Sequence, residues 1–118
     1  MLVIIKAQQM MDDYAKRSIL GVPIDYIRAV VCRSFRLPES SIKARSRRVK
    51  IVRPRQVIMY FAKRMTNLSL SDIASLCGVE THATVIHGSK KIESLMRTDE
   101  KFKIFIEAIE KKLNALGE

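Results

Sequence analysis

The stretch from Arg53 to Met96 decides the fold, and it reads RPRQVIMYFAKRMTNLSLSDIASLCGVETHATVIHGSKKIESLM. Cys77-Gly78 divides it into two helical segments, and Gly78 is placed to take the left-handed conformation that ends a helix. A short helix, a glycine and a second helix are typical of a helix-turn-helix. We therefore predict two helices joined by this turn, the second of which enters a DNA groove.

Both motif helices are preceded by a residue that suits an N-cap. Ser69 precedes a helix predicted over residues 70–76, with Asp72 at its third position, and Thr81 precedes the second helix. Three apolar residues of the second helix share the face that should pack on the core: Val85, Ile92 and Met96. The positions expected to face mainly outward are His82, Ala83, His87, Lys90, Lys91 and Ser94.

Residues at the start of the second helix are candidates for reading bases, because a helix-turn-helix meets base edges there. His82 and Thr84 can contact base edges or phosphates. Thr81 can cap the helix and also touch DNA. Lys90 and Lys91 lie further along, so phosphates are their expected partners.

A further helix is predicted just before the motif, from Pro54 to about Met65. Proline suits the first position of a helix, where its missing N–H is no loss. Three residues share one apolar face and are interpreted as core rather than as a base-stacking platform: Val57, Tyr60 and Phe61. The cations of this helix are expected to remain outside: Arg55, Lys63 and Arg64.

The charge of the chain favours an anionic partner. The 118 residues carry a formal net charge of +10, and no acidic residue occurs between Glu39 and Asp72. Such an excess is most often matched by nucleic acid, and sometimes by a membrane surface. Seven cations are concentrated in one run: Lys43, Arg45, Arg47, Arg48, Lys50, Arg53 and Arg55. A solvated basic loop is one interpretation, but phosphate contact is favoured because the run leads directly into the helical pair.

The remaining segments are also predicted to be helical. One helix begins with Pro23 in its first position and stops at Leu37-Pro38. Another runs over about residues 99–115, with Thr98 as its cap. Hydrophobic residues make up 47% of the chain, which is enough for one core. We therefore predict a compact all-α domain over residues 21–118.

Residues 1–20 are predicted to form an N-terminal helical extension. Apolar positions recur with helical spacing from about residue 2 to residue 17. The extension is interpreted as a cover for the back of the domain. A dimer contact, a protein partner or part of a linker are the alternatives.

Several classes of function are disfavoured by the sequence. There is no nucleophile–base set, carboxylate pair or metal cluster, so we predict no enzyme and no cofactor. The two histidines are five positions apart, off the spacing that a shared metal needs on one helix face. Cys32 and Cys77 are far apart among apolar residues, and no signal or membrane segment is evident, which favours a cytoplasmic protein without membrane contact.

The segments RPRQVIMYFAKRMTNLSLSDIASLCG and HATVIHGSKKIESL resemble the C-terminal DNA-binding domain of the bacterial replication initiator DnaA. The similarity extends from about Pro23 to Leu113. It implies an all-helical domain with a helix-turn-helix like that of Trp repressor, which binds short duplex boxes at the replication origin. The chain has no G-x-x-x-x-G-K-[ST] loop, so a nucleotide site and ATP-driven origin melting are not assigned to it.

The resemblance also implies roles for individual residues. Arg47 matches the arginine that enters the minor groove beside the recognised major groove. Positions that contact the DNA backbone are matched by Arg55, Gln56 and Lys63. Residues at the start of the first motif helix, where amides approach a phosphate, are matched by Leu70 and Ser71. Positions on the second helix are matched by His82, Thr84, His87 and Lys91.

The chain departs from the family at the base-reading positions. The family pattern G-G-R-D-H-T-T-V corresponds to GVETHATV at residues 78–85. An aspartate that can accept a hydrogen bond from cytosine is Thr81 here, a threonine is Ala83, and an arginine is Glu80. We therefore predict altered or weakened recognition of the usual box, with phosphate affinity retained. Losing one good base contact reduces discrimination by about 1–3 kcal/mol.

Two other functions are compatible with the same residues. The first is a general DNA or RNA coating protein, which the lost signature residues would favour. The second is a protein-interaction module, in which the N-terminal helix docks a partner and the basic face is secondary. Sequence-selective binding of double-stranded DNA is the reading we favour.

Overall fold

The computed structural model describes residues 22–43 and 48–115. Within these ranges the chain forms α-helices and one short 3-10 helix, with no strand, so the all-α prediction is confirmed. The elements are α1 (Ile24–Phe35), the 3-10 helix (Glu39–Lys43), α2 (Val49–Met65), α3 (Leu70–Leu76), α4 (His82–Thr98) and α5 (Glu100–Asn114). The predicted N-terminal extension, Arg45 and Arg47 lie outside the described residues. None of the described helices is long and apolar enough to cross a membrane.

Helix α2 is the centre of the domain. It packs against α1, the 3-10 helix, α3 and α4, and most of its second half is buried. Val57, Tyr60 and Phe61 are buried as predicted, and so are Ile58 and Met59. Burying one large apolar side chain stabilises a fold by about 1.5–3 kcal/mol. The packing of α2 on several sides therefore makes it the main source of core burial.

Helices α1, α4 and α5 close the core around α2. Ile27 and Val31 of α1 are fully buried. Helix α5 buries one apolar face, which consists of Ile106, Ile109 and Leu113. Phe35 and Phe105 meet edge to face with ring centroids 5.1 Å apart, a favoured aromatic geometry. These contacts hold α1 and α5 together on one side of the molecule.

The predicted start of α2 at Pro54 is wrong, because the helix begins five residues earlier at Val49. Pro54 lies within the helix and is buried. A proline there lacks the N–H that would bond the carbonyl of Lys50. Ile51 is buried in the turn before Pro54. Tertiary packing therefore stabilises an additional helical turn that the position of the proline did not indicate. The position predicted for Pro23 differs by one residue. Pro23 is the N-cap of α1 rather than its first helical residue.

The helix caps agree with the sequence in two cases and differ in one. The Ser69 hydroxyl accepts a hydrogen bond from the Asp72 amide at 3.1 Å, and Thr81 Oγ1 accepts one from the Thr84 amide at 3.3 Å. Thr98 was expected to cap the last helix, but it is the final residue of α4. Its hydroxyl donates back to the Ser94 carbonyl at 3.1 Å. Asp99 provides the cap instead, with Oδ1 accepting from the Phe102 amide at 3.1 Å.

Burial of the Cys77 thiol predicts a loss of stability at alkaline pH. Burial raises the pKa of this thiol from 9.0 to about 11, against the smaller opposing influence of Arg55. The unfolded chain therefore forms the thiolate first, and stability is lost as pH rises from about 9 through 11. Urea unfolding at pH 8 and pH 10.5 should show a smaller alkaline loss for Cys77→Ala than for the wild type. Equal losses in the two proteins would contradict the prediction.

Candidate nucleic-acid interface

The turn between α3 and α4 has the geometry predicted for a helix-turn-helix. Gly78 takes the left-handed conformation, with φ of +72°. Its amide donates to the Ser75 carbonyl at 3.2 Å, and the Val79 amide donates to the Ala74 carbonyl at 2.9 Å. These paired bonds satisfy the last carbonyls of α3. A Cβ on Gly78 would lie 3.0 Å from Cα of Lys43, so the turn packs directly on the end of the 3-10 helix.

Helix α4 presents the polar face that the sequence predicted. Val85 and Ile92 are fully buried against the core. The outward residues are exposed: His82, Ala83, Thr84, His87, Lys90, Lys91 and Ser94. Gly88 and Ser89 are buried, which the apolar pattern did not predict. A Cβ on Gly88 would lie 2.8 Å from Cε of Met59, so α4 and α2 approach each other closely here. The two adjacent small residues, Gly88 and Ser89, could have indicated this close approach from the sequence.

The polar side chains at the start of α4 are fixed by hydrogen bonds. Ser71 Oγ of α3 bonds Nε2 of His82, which joins the starts of the two motif helices. Thr81 Oγ1 and Thr84 Oγ1 are 3.0 Å apart. All four residues are exposed. The groups predicted to meet DNA are thus joined by hydrogen bonds within the protein, and such support favours precise recognition.

A groove of about 460 Å³ lies between the first half of α2 and the outward face of α4. Gln56 of α2 lines it together with Thr84, His87 and Lys91 of α4. Arg55 of α2 lines the groove as well, so five predicted site residues share one surface. Arg53 also lines the groove, and its Nη1 donates to Gln56 Oε1 at 2.8 Å. Arg53 belongs to the basic run but was not among the predicted site residues.

The other predicted site residues occupy different environments. Arg48 is exposed at the N-cap of α2, and Lys63 is exposed near the other end of that helix. Leu70 is half-buried, whereas Ser71 is exposed at the start of α3. Arg47, the residue matched to the minor-groove arginine, lies outside the described residues.

Arg55 does not face solvent, so the expectation that it stays outside is wrong. Its exposed fraction is 8%. Its Nε donates to the main-chain carbonyl of Ile42 at 2.8 Å. The apolar pattern placed Arg55 off the face that carries Val57 and Phe61. That side of α2 is nevertheless covered, because the 3-10 helix packs there.

Residues 22–43 and 48–115 contain no group of three or more His, Cys, Asp or Glu side chains that could hold a metal ion. Both cysteines in these ranges are free and buried. The polar groups that this surface offers are hydroxyl, imidazole, amide and cationic side chains. These groups are suited to hydrogen bonding with base edges and phosphates.

Comparison with known proteins relates the chain to one family. Residues 24–92 match the family described as bacterial dnaA protein helix-turn-helix. The chromosomal replication initiator protein DnaA of Flavobacterium psychrophilum is 40% identical over 92% of this chain and 23% of its own length. That of Bacteroides thetaiotaomicron is 36% identical over 91% of this chain and 23% of its own length. That of Geobacter sp. is 34% identical over the same shares.

The chain thus spans about a quarter of the length of these curated relatives. The matched residues include α2 and the whole helix-turn-helix, from α3 through the turn to most of α4. The match covers more than half of the chain and coincides with the elements that form the candidate interface. This chain therefore belongs to the bacterial DnaA helix-turn-helix family.

Proposed function

We propose that this chain binds double-stranded DNA with sequence selectivity, with the start of α4 in the major groove. The observation that carries the proposal is the fixed cluster of exposed polar groups at Thr81, His82, Thr84 and Ser71. In a helix-turn-helix, the N-terminal residues of the second helix meet base edges. The family assignment supports the same placement.

The proposed contacts divide into base reading and phosphate binding. Base edges are proposed for the start of α4, namely Thr81, His82, Ala83 and Thr84. Phosphates are proposed for the groups around them, which are exposed except at the half-buried Gln56 and Leu70, namely Arg48, Gln56, Lys63, Leu70, Ser71, His87, Lys90 and Lys91. Arg47 is proposed to enter the adjacent minor groove. Phosphate contacts position a protein on the duplex, whereas base contacts specify the sequence.

The biological target follows from the relatives by analogy. They are chromosomal replication initiator proteins, so we propose origin-like duplex sites in the bacterial cytoplasm as the ligand. The proposed activity is binding without catalysis. Because Thr81 and Ala83 replace two residues of the family pattern, the preferred site should differ from the usual box.

Substitution of Thr81 by aspartate should change which bases are selected. Aspartate restores an acceptor for the cytosine amino group and can still cap α4. Selection of bound sites from a random duplex pool should therefore give different preferred sequences for the wild type and Thr81→Asp, with discrimination changed by about 1–3 kcal/mol at the affected base pair. Lys111→Ala, at an exposed position of α5 outside the proposed surface, provides a control with unchanged selection.

A second substitution tests the minor-groove contact. Arg47→Ala should weaken binding to the selected duplex without destroying the base preference read by α4. Identical footprints for the wild type, Thr81→Asp and Arg47→Ala would rule out this mode of recognition. Equal affinity for selected duplex, random duplex and structured RNA would favour a general coating protein instead.

The N-terminal extension is proposed as a contact for a protein partner or a second copy. Its prediction rests on the apolar helical spacing of residues 2–17 alone. Deleting the residues before Pro23 and measuring the mass of the particle in solution tests this part of the proposal. A mass that matches a single chain both before and after the deletion would argue against a second copy.

A further inference from the structure

Arg53 and Gln56 form a side-chain pair on the first half of α2. The Nη1 atom of Arg53 donates to Oε1 of Gln56 at 2.8 Å. The two residues are three positions apart, so one face of the helix carries both. Both are half-buried, which distinguishes Arg53 from a fully solvated surface cation. The family resemblance implied a backbone contact for Gln56 and no role for Arg53.

The stem of Gln56 is held from the other side by α4. A Cβ on Gly88 would lie 3.3 Å from Cγ of Gln56, and Gly88 is buried in α4. Because glycine lacks this atom, the stem lies close against the backbone of α4. The side chain of Gln56 is therefore bounded at its stem by α4 and at its amide oxygen by Arg53.

The bond with Arg53 decides which end of the Gln56 amide is left for a ligand. A guanidinium has hydrogen-bond donors and no acceptor, so it can bond only to the amide oxygen. The amide nitrogen is then the end that can meet DNA, and it carries two N–H donors. A donor on the oxygen also polarises the amide, which strengthens its N–H groups as donors. The pair thus suits a ligand that only accepts hydrogen bonds.

The groove that holds the pair suits an anion. Arg53, Arg55 and Lys91 line it together with Gln56. Among the described residues that line the groove, none is acidic. A phosphate oxygen accepts hydrogen bonds and is negatively charged, so it matches both the amide donors and the cations. An amide turned the other way would present its oxygen to the phosphate and repel it.

We propose that Arg53 is a positioning residue that turns the amide of Gln56, so that the amide N–H groups donate to a phosphate of the duplex backbone. Arg53 thus acts on the phosphate through Gln56. This inference rests on the proposed function of duplex binding. It goes beyond that function because it makes the orientation of one neutral side chain a determinant of DNA affinity.

Two substitutions of Gln56 test the donor role. Gln56→Glu keeps the size of the side chain and an acceptor for Arg53, but it has no N–H and adds a negative charge. Affinity for a labelled duplex, selected from the random pool by the wild-type chain, should fall at least about tenfold, as expected when a hydrogen bond to a charged group is lost. Gln56→Leu should lose less than Gln56→Glu, because it adds no charge. Wild-type affinity in a folded Gln56→Glu protein would overturn the inference.

A double-mutant cycle tests whether Arg53 acts through Gln56. Arg53→Met is measured in the wild type and in Gln56→Leu. The loss that it causes should be at least about threefold smaller in the Gln56→Leu background. Lys63→Met is the matched control, because Lys63 is an exposed cation of the same helix and does not line the groove. Its loss should be equal in both backgrounds.

The mobility of the Gln56 amide gives a readout that a loss of charge alone does not move. In the free wild-type protein, nitrogen relaxation should give the side-chain amide an order parameter near that of rigid backbone, about 0.85. Arg53→Met should lower this value below about 0.6, whereas Lys63→Met should leave it unchanged. Far-UV circular dichroism checks that each variant is folded. If Arg53→Met does not fold, Gln56→Glu and the wild-type order parameter still test the inference.

The outcomes separate this inference from the proposed function. Duplex binding by the wild type, together with strictly additive losses at Arg53 and Gln56, would overturn the positioning role alone. A mobile Gln56 amide in the free wild-type protein would do the same. A wild-type chain that binds no duplex at low salt would overturn the proposed function, and the phosphate role of Gln56 with it.

Discussion

Raising the salt concentration from 50 to 200 mM should weaken duplex binding by about a thousandfold. Each phosphate neutralised by a lysine or arginine releases counterions, and about six such contacts give this loss over a fourfold change in salt. The cations available for these contacts are exposed, namely Lys43, Arg48, Lys50, Lys63, Lys90 and Lys91. Fluorescence anisotropy with a labelled duplex, repeated across this salt range, measures the slope.

Two paired substitutions locate the source of the salt effect. Removing Lys90 and Lys91 together should reduce the slope by about 1.8, since two phosphate contacts are lost. Removing Lys111 and Lys112, which are exposed on α5, takes away the same charge outside the proposed surface and should leave the slope nearly unchanged. Equal slopes for the two double variants would contradict the proposed role of α4, because net charge alone would then govern binding.

Substitution of Gly78 by valine should destabilise the domain by about 2–5 kcal/mol. A side chain in the left-handed conformation costs about 1–2 kcal/mol, and overpacking adds about 1–3 kcal/mol. Both terms apply because φ is +72° and a Cβ would lie 3.0 Å from Cα of Lys43. Thermal unfolding should shift downward by about 10 °C or more for a domain of this size.

Asparagine at position 78 separates the cost of the left-handed conformation from the cost of overpacking against Lys43. It tolerates the left-handed conformation better than valine, but its Cβ meets Lys43 in the same way. Gly78→Asn should therefore lose less stability than Gly78→Val, and the remaining loss measures the close contact with Lys43. A Gly78→Val protein within about 0.5 kcal/mol of the wild type would contradict this account, since surface changes without a structural role usually fall in that range.

Local chemistry made several features of the fold predictable. Ser69 and Thr81 cap their helices as expected, because a hydroxyl next to free amides is a short-range interaction. Gly78 ends α3 for an equally local reason. The exposed residues of α4 follow from the 3.6-residue period once its start is known. These are the features on which the helix-turn-helix prediction depended.

Features set by tertiary contacts were not predictable in the same way. Pro54 indicated a helix start, whereas burial of Ile51 against the core extends α2 back to Val49. The environment of Arg55 depends on the 3-10 helix that covers it, which no periodic pattern of α2 encodes. The bond between Ser71 and His82 joins residues of two helices, so it depends on how those helices cross.

The sequence therefore predicted which residues belong to the candidate site better than it predicted how they are arranged in space. Thr81, His82 and Thr84 were identified from the motif, and the structure brings them together at one exposed helix start. Arg53 was predicted only as a member of the basic run, because a cation within such a run carries no positional signal. Its bond to Gln56 and its place in the groove depend on the side chains of both α2 and α4.

Asp99 is both the C-cap of α4 and the N-cap of α5, so no loop separates the two helices. The family match ends at residue 92, inside α4, whereas Ile106 and Leu113 of α5 are fully buried beyond it. The border of the shared sequence pattern is thus not a border of the cooperative folding unit. A fragment trimmed to the matched residues would cut the recognition helix short and uncover its core, so a minimal folding domain must extend through α5.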